Sequence, residues 1–143
     1  MNTRDIIQRL LESEVTKDYL KSLNSKSSLY LHGLCGASAS LQVSLSYAAN
    51  QRPILVCLSN KEEAQYFKSD LENWLTGQTI HFLPSSYLKS FSTSREHAMG
   101  VQERLETLSA LRKNDQRIIV TYTEALAELV VDEEQLSSNT FEI

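Results

Sequence analysis

Four short apolar runs, separated by stretches of helical period, constrain this chain more than any other feature. The runs are 29–31, Ile54-Leu55-Val56-Cys57-Leu58, Ile80-His81-Phe82-Leu83 and 118–120. The first interval, 38–49, places Leu41, Leu45 and Ala48 on one face. The second sets Ala64, Phe67, Leu71, Trp74 and Leu75 at helical spacing, opposite Lys61, Glu62, Glu63, Lys68 and Glu72. The third repeats at Val101, Leu105, Leu108 and Leu111. Strands alternating with helices predict an α/β fold, a mostly parallel sheet with helices on both faces joined by right-handed crossovers. The uninterrupted apolar run 54–58 predicts a strand covered on both faces.

The connection between the first run and its helix carries the strongest motif. Gly33 and Gly36 turn the chain immediately before residues 38–49. Strand, glycine turn and helix N-terminus are the parts of a phosphate-binding loop, G-x-x-x-x-G-K-[ST]. Gly33 and Gly36 stand at the first glycine and an extra glycine; Ser38 takes the glycine before the lysine, Ala39 the lysine and Ser40 the hydroxyl. Backbone N–H groups at a helix N-terminus hold phosphate, and the lysine neutralises the terminal phosphates during transfer. Ala39 has neither charge nor donor, and the Ser38 Cβ stands where the backbone approaches phosphate. The pattern therefore suggests the architecture of a nucleotide site without its chemistry. The alternative is a glycine turn with no ligand history.

Other signals are local. Apolar spacing makes 2–23 helical, with a break near 13–16. Ser59 with Glu62, and Thr121 with Glu124, have the spacing of capping boxes. Gly77 stops the second helix and Pro84 ends the third strand. Residues 85–97 form the longest stretch without period, a length usually tied to function or disorder. The formal charge of −4 over 143 residues argues against a general nucleic-acid footprint. No apolar run reaches membrane-spanning length, and the N-terminus lacks a signal-peptide pattern. Cys35 and Cys57 have no metal spacing and make no disulfide framework. These features predict a cytoplasmic protein without a membrane partner.

No acid–base pair emerges from the remaining polar residues. His32, beside the glycine turn, has no carboxylate near in sequence and reads as a structural histidine. Cys35 at a helix N-terminus could be an activated thiolate, but without a catalytic partner it reads as a turn thiol. Tyr87 and Phe91 could stack on bases or pin a loop. Arg95, His97 and Arg104 could form an anion patch, against the simpler reading of a solvated helix edge. Glu103 and Glu106 read as surface charges.

The order of these motifs resembles the N-terminal module of bacterial transcription-repair coupling factors (Mfd). Leu31-His32-Gly33-Leu34-Cys35-Gly36-Ala37-Ser38-Ala39 is similar to that family's degenerate loop, and Ile54-Leu55-Val56-Cys57-Leu58-Ser59 to the strand after it. Phe82-Leu83-Pro84-Ser85-Ser86-Tyr87 looks like its Phe/Leu-Pro-Ser segment. Arg104-Leu105-Glu106-Thr107-Leu108, followed by Ile118-Ile119-Val120-Thr121-Tyr122-Thr123-Glu124-Ala125-Leu126, looks like its Arg-Leu-x-Thr-Leu helix and Val-Val-Thr strand.

The resemblance implies a UvrB-like domain, a degenerate P-loop NTPase or helicase-like three-layer domain that has lost its nucleotide site, followed by an inserted domain that binds UvrA. The resemblance covers about 28–129; beside the N-terminal helical segment at 1–27 it implies the UvrB-like unit at 28–131 and the start of the inserted domain at 132–143, with Phe141-Glu142-Ile143 as its first strand. Such a chain would be a non-catalytic piece of a longer ATP-dependent DNA translocase in nucleotide excision repair. It would hold no cofactor, ATP and magnesium belonging to the motor domains; RNA polymerase and DNA would be bound by other parts. Two rivals are an active P-loop ATPase or DNA helicase domain, and a nucleic-acid-binding domain using Tyr87, Phe91 and Arg95. The first rival needs an acidic metal ligand after a strand, where the fourth run offers Thr121.

Overall fold

The computed structural model describes residues 2–86, 94–111 and 117–130, with the side chains of 94–97 left out of the description. In chain order the elements are α1 (Thr3–Glu12), α2 (Glu14–Ser25), α3 (Ser38–Asn50), β1 (Ile54–Leu58), α4 (Lys61–Trp74), β2 (Ile80–Leu83), α5 (Ser94–Leu111), β3 (Ile118–Tyr122) and α6 (Thr123–Leu126). The strands form one all-parallel sheet in the order β1-β3-β2. Ile54 and Ile80 both pair with Ile118, and Val56 and Phe82 both pair with Val120. The fold is thus α/β, as the alternation of periods predicts. No described helix is long and apolar enough to cross a membrane.

Strand alternation sends Ile54, Val56, Ile80, Phe82, Ile118, Val120 and Tyr122 to one face. There they pack with Tyr47 of α3 and with Ala64, Phe67, Leu71 and Trp74 of α4. Leu83, Ile119 and Thr121 alternate to the opposite face and are also buried. Leu71 is fully buried, whereas Trp74 is only partly so. Leu71→Ala should therefore cost about 2–5 kcal/mol in urea denaturation, and Trp74→Ala less than Leu71→Ala despite its larger ring. The reverse order would place Trp74 at the centre of the core.

The helix ends explain themselves. Ser13 closes α1 and opens α2: its hydroxyl donates to the Leu10 carbonyl and accepts from the Thr16 N–H. This is the break expected near 13–16. Both helices pack back on the rest of the chain. Ile7 is buried, Arg4 donates to the Thr76 carbonyl at 2.9 Å, and Tyr19 Oη lies 2.7 Å from Ser46 Oγ. After α4 the chain turns through Gly77 at φ +90°, a left-handed conformation natural to glycine.

Several expectations are corrected. Residues 29–31 form no strand: they pair with nothing among the described residues, and Tyr30 is 87% exposed. Among the described residues β1 is covered on one face only. It lies at the sheet edge, and Leu55 (58% exposed) and Cys57 point to the open side. An uninterrupted apolar run cannot distinguish a strand covered twice from one at an open edge. The cap of α4 is Asn60, whose side chain accepts from the Glu63 N–H at 2.9 Å, one residue later than the Ser59–Glu62 box.

Thr121 belongs to β3 and caps nothing; its hydroxyl donates to the Leu83 carbonyl at 2.9 Å. The helix α5 begins at Ser94, so 94–97 are helical rather than loop. Its inner face is also turned from the expected one: Leu105 is 47% exposed, while Arg104 and Thr107 are buried. Residues 87–93 and Phe141-Glu142-Ile143 lie outside the described residues.

Candidate functional site

Gly33 (φ +78°) and Gly36 (φ +55°) both adopt left-handed backbone, and a Cβ built on either would meet nothing within 4 Å. Backbone conformation, not crowding, is what asks for glycine here. The loop then folds upon itself. Cys35 N–H donates to Ser38 Oγ at 2.8 Å, and Ser38 N–H donates to the Cys35 carbonyl at 3.2 Å. An amide at the loop is thereby held by the loop's own hydroxyl.

Ala37 begins α3 without a side-chain cap. Ala39, in the lysine position, presents a methyl group. Ser40 is buried and its hydroxyl turns inward, donating to the Ala37 carbonyl at 2.8 Å and lying 3.3 Å from Asp70 Oδ2 of α4. In a working loop that hydroxyl would face a metal ion; here it ties α3 to α4. His32 is exposed and stacks on exposed Tyr30 with ring centroids 6.4 Å apart. Cys35 is an exposed free thiol.

A second polar constellation gathers at the C-terminal ends of β2 and β3, the end of a parallel sheet where ligand sites usually form. Arg104 is 6% exposed and donates through Nη1 to the Pro84 carbonyl at 2.8 Å and the Ala125 carbonyl at 3.3 Å. The same Nη1 lies 3.6 Å from Glu128 Oε2, with both side chains buried. Glu128 also accepts from Ser86 N–H at 2.9 Å and from the Ser86 hydroxyl. Around this pair Thr107 donates to the Phe82 carbonyl at 2.6 Å, and Ser85 N–H to Tyr122 Oη at 2.9 Å.

Arg104 is therefore no solvated helix edge and no part of an open anion patch. Its spacing with Thr107 on the inner face of α5 was the sequence signal for this role. Glu128 and Ser86 carried no such signal, because their partners are distant in sequence. The cluster joins carbonyl, carboxylate, amide and hydroxyl groups around one guanidinium, whose buried Nη2 has no hydrogen-bond partner among the described residues. It braces chain segments together.

The other expected residues stay apart from both places. Glu103 and Glu106 are exposed, and Glu106 accepts from Gln102 Nε2 at 2.8 Å. Tyr87 and Phe91 lie outside the described residues, as do the side chains of Arg95 and His97. At the opposite end of the sheet an open groove of about 670 Å³ is lined by Gln78, Thr79, His81, Glu106 and Arg117, among others. Its charges are of both signs.

Burial, and then the Arg117 guanidinium, lower the His81 pKa from its ordinary value. A depressed histidine leaves the unfolded chain binding more protons below pH about 6.5, so acid opposes folding there. Stability should be full above that pH and decline as pH falls through the window beneath it. His81→Gln should flatten this slope in denaturation series at pH 7 and 5; an unchanged slope would assign it to other groups.

Compared with known proteins, the chain matches no family model, no curated sequence and no solved structure.

Proposed function

We propose that this chain is a nucleotide-silent, UvrB-like module of a transcription-repair coupling factor. Its role is to scaffold the recruitment of UvrA to stalled RNA polymerase in nucleotide excision repair. The observation that carries the nucleotide-silent part is the loop that spends its polar groups on itself. Ser38 Oγ holds the Cys35 amide, Ser40 Oγ turns to Ala37 and Asp70, and Ala39 supplies no charge.

The cluster at the sheet's end supports the scaffold part. Three segments that carry the resemblance, 82–86, 104–108 and 118–126, are bonded to one another through Thr107, Arg104, Thr121 and Tyr122. In this reading the small sheet is part of a three-layer, helicase-like domain in the cytoplasm, and residues 132–143 begin the next domain. The module uses no cofactor; ATP and magnesium serve the motor domains of the parent protein. An active ATPase would need a carboxylate where Thr121 donates to Leu83.

Calorimetric titration with Mg-ATP tests the silence of the loop. No saturable heat is expected at micromolar nucleotide. Saturable micromolar binding would instead establish a working site and restore the ATPase reading. Weak retention of free phosphate would do neither, since bare amides at a helix start can hold an anion.

A further inference from the structure

We propose that Glu128 is a latch that fixes the path by which the chain leaves the sheet after α6. The proposal rests on the scaffold reading for its purpose, but not for its test.

The segment that follows α6 is not held by its apolar side chains. Leu126 is 46%, Leu129 93% and Val130 52% exposed. Burial of apolar area, the usual reason a segment stays where it is, is therefore missing here. What the segment does have is one buried carboxylate. Glu128 reaches inward between Arg104 of α5 and Ser86 beyond β2, accepting from the Ser86 amide and hydroxyl and lying 3.6 Å from the Arg104 guanidinium. Charge-assisted bonds of this kind are stronger than neutral ones, and withdrawing the carboxylate would leave Arg104 buried without its counter-charge. One side chain thus ties residues 127–130 to two elements remote in sequence.

For a scaffold the direction of exit matters. Whatever surface lies beyond residue 130 is placed relative to the sheet by the last fixed point before it. The latch supplies that point and leaves Leu126, Leu129 and Val130 facing outward.

Glu128→Gln tests this while keeping size and shape. Gln keeps one acceptor oxygen for Ser86 but removes the negative charge beside Arg104 and replaces the second oxygen by an NH2 donor, so the knot should loosen. Hydrogen exchange should then show amide protection lost about tenfold at Ala127 and Ser86, whose amides donate to Thr123 and to Glu128, with the amides of Val120 and Leu71 unchanged, because local opening need not involve the global unit. Ser86→Ala, which removes one of the donors and keeps the Ser86 amide, should produce a smaller loss at the same places. Unchanged protection at Ala127 and Ser86 in Glu128→Gln would overturn the latch. So would equal loss across the sheet, which would make Glu128 an ordinary part of the core. Either result leaves the nucleotide titration and the UvrA comparison to judge the scaffold reading separately.

Discussion

Arg104→Ala should destabilise this protein by about 3–5 kcal/mol, the range for breaking a buried ion pair by removing one partner. The substitution takes away the donor to the Pro84 and Ala125 carbonyls and abandons the buried Glu128 carboxylate. The loss should appear in urea denaturation as a lower midpoint with unchanged slope, since the surface exposed on unfolding hardly changes. Thr107→Val, which removes only the hydroxyl bonded to the Phe82 carbonyl, should cost on the order of 1 kcal/mol. A loss below about 1 kcal/mol for Arg104→Ala would mean that water reaches the cluster and replaces its bonds. Because Arg104 touches segments after β2 and after α6, this variant reports on the whole brace.

The second large effect concerns UvrA. On the proposed reading, a longer protein that includes a domain after residue 143 should bind UvrA with submicromolar affinity, and this chain alone at least about 100-fold more weakly, near 2.7 kcal/mol. A stable interface buries roughly 800 Å² on each partner. The exposed large apolar residues described here, such as Val15, Tyr30, Tyr66, Met99 and Leu129, come from separate elements of the chain. Charges on the surface are of both signs. Titration of UvrA with the two proteins under one salt condition makes the comparison. Equal submicromolar affinity would place the binding surface within residues 1–143 and refute the division of labour proposed for this module.

The sequence was most legible where periodicity is a local matter. The helices at 61–74 and 101–111, the split at Ser13 and the three parallel strands follow from apolar spacing and side-chain capping. It was least legible where tertiary pairing decides. The run at 29–31 has strand composition and forms no strand, because β propensity is realised only against a neighbour. β1 reads as doubly covered, yet Leu55 and Cys57 face outward, because coverage depends on what packs beside it. Arg104 reads as surface charge since charged residues are rarely buried; its partners lie at Pro84, Ala125 and Glu128, and only the folded chain brings them together. The degenerate loop was legible in composition, through Ala39. How Ser38 and Ser40 spend their hydroxyls was not.

The strand order also sets a timetable. β3 lies between β1 and β2, and it is the latest of the three to be synthesised. Until Ile118–Tyr122 leaves the ribosome, neither earlier strand has the neighbour it pairs with in the finished sheet. At about 5–20 residues per second, β1 waits for several seconds. Helices α1 to α4 are complete in that interval and can already pack on one another. The sheet itself must close through contacts far apart in sequence, which slows the final step. A nascent chain that pauses before residue 118 would therefore display two unpaired apolar strands, a natural target for a chaperone.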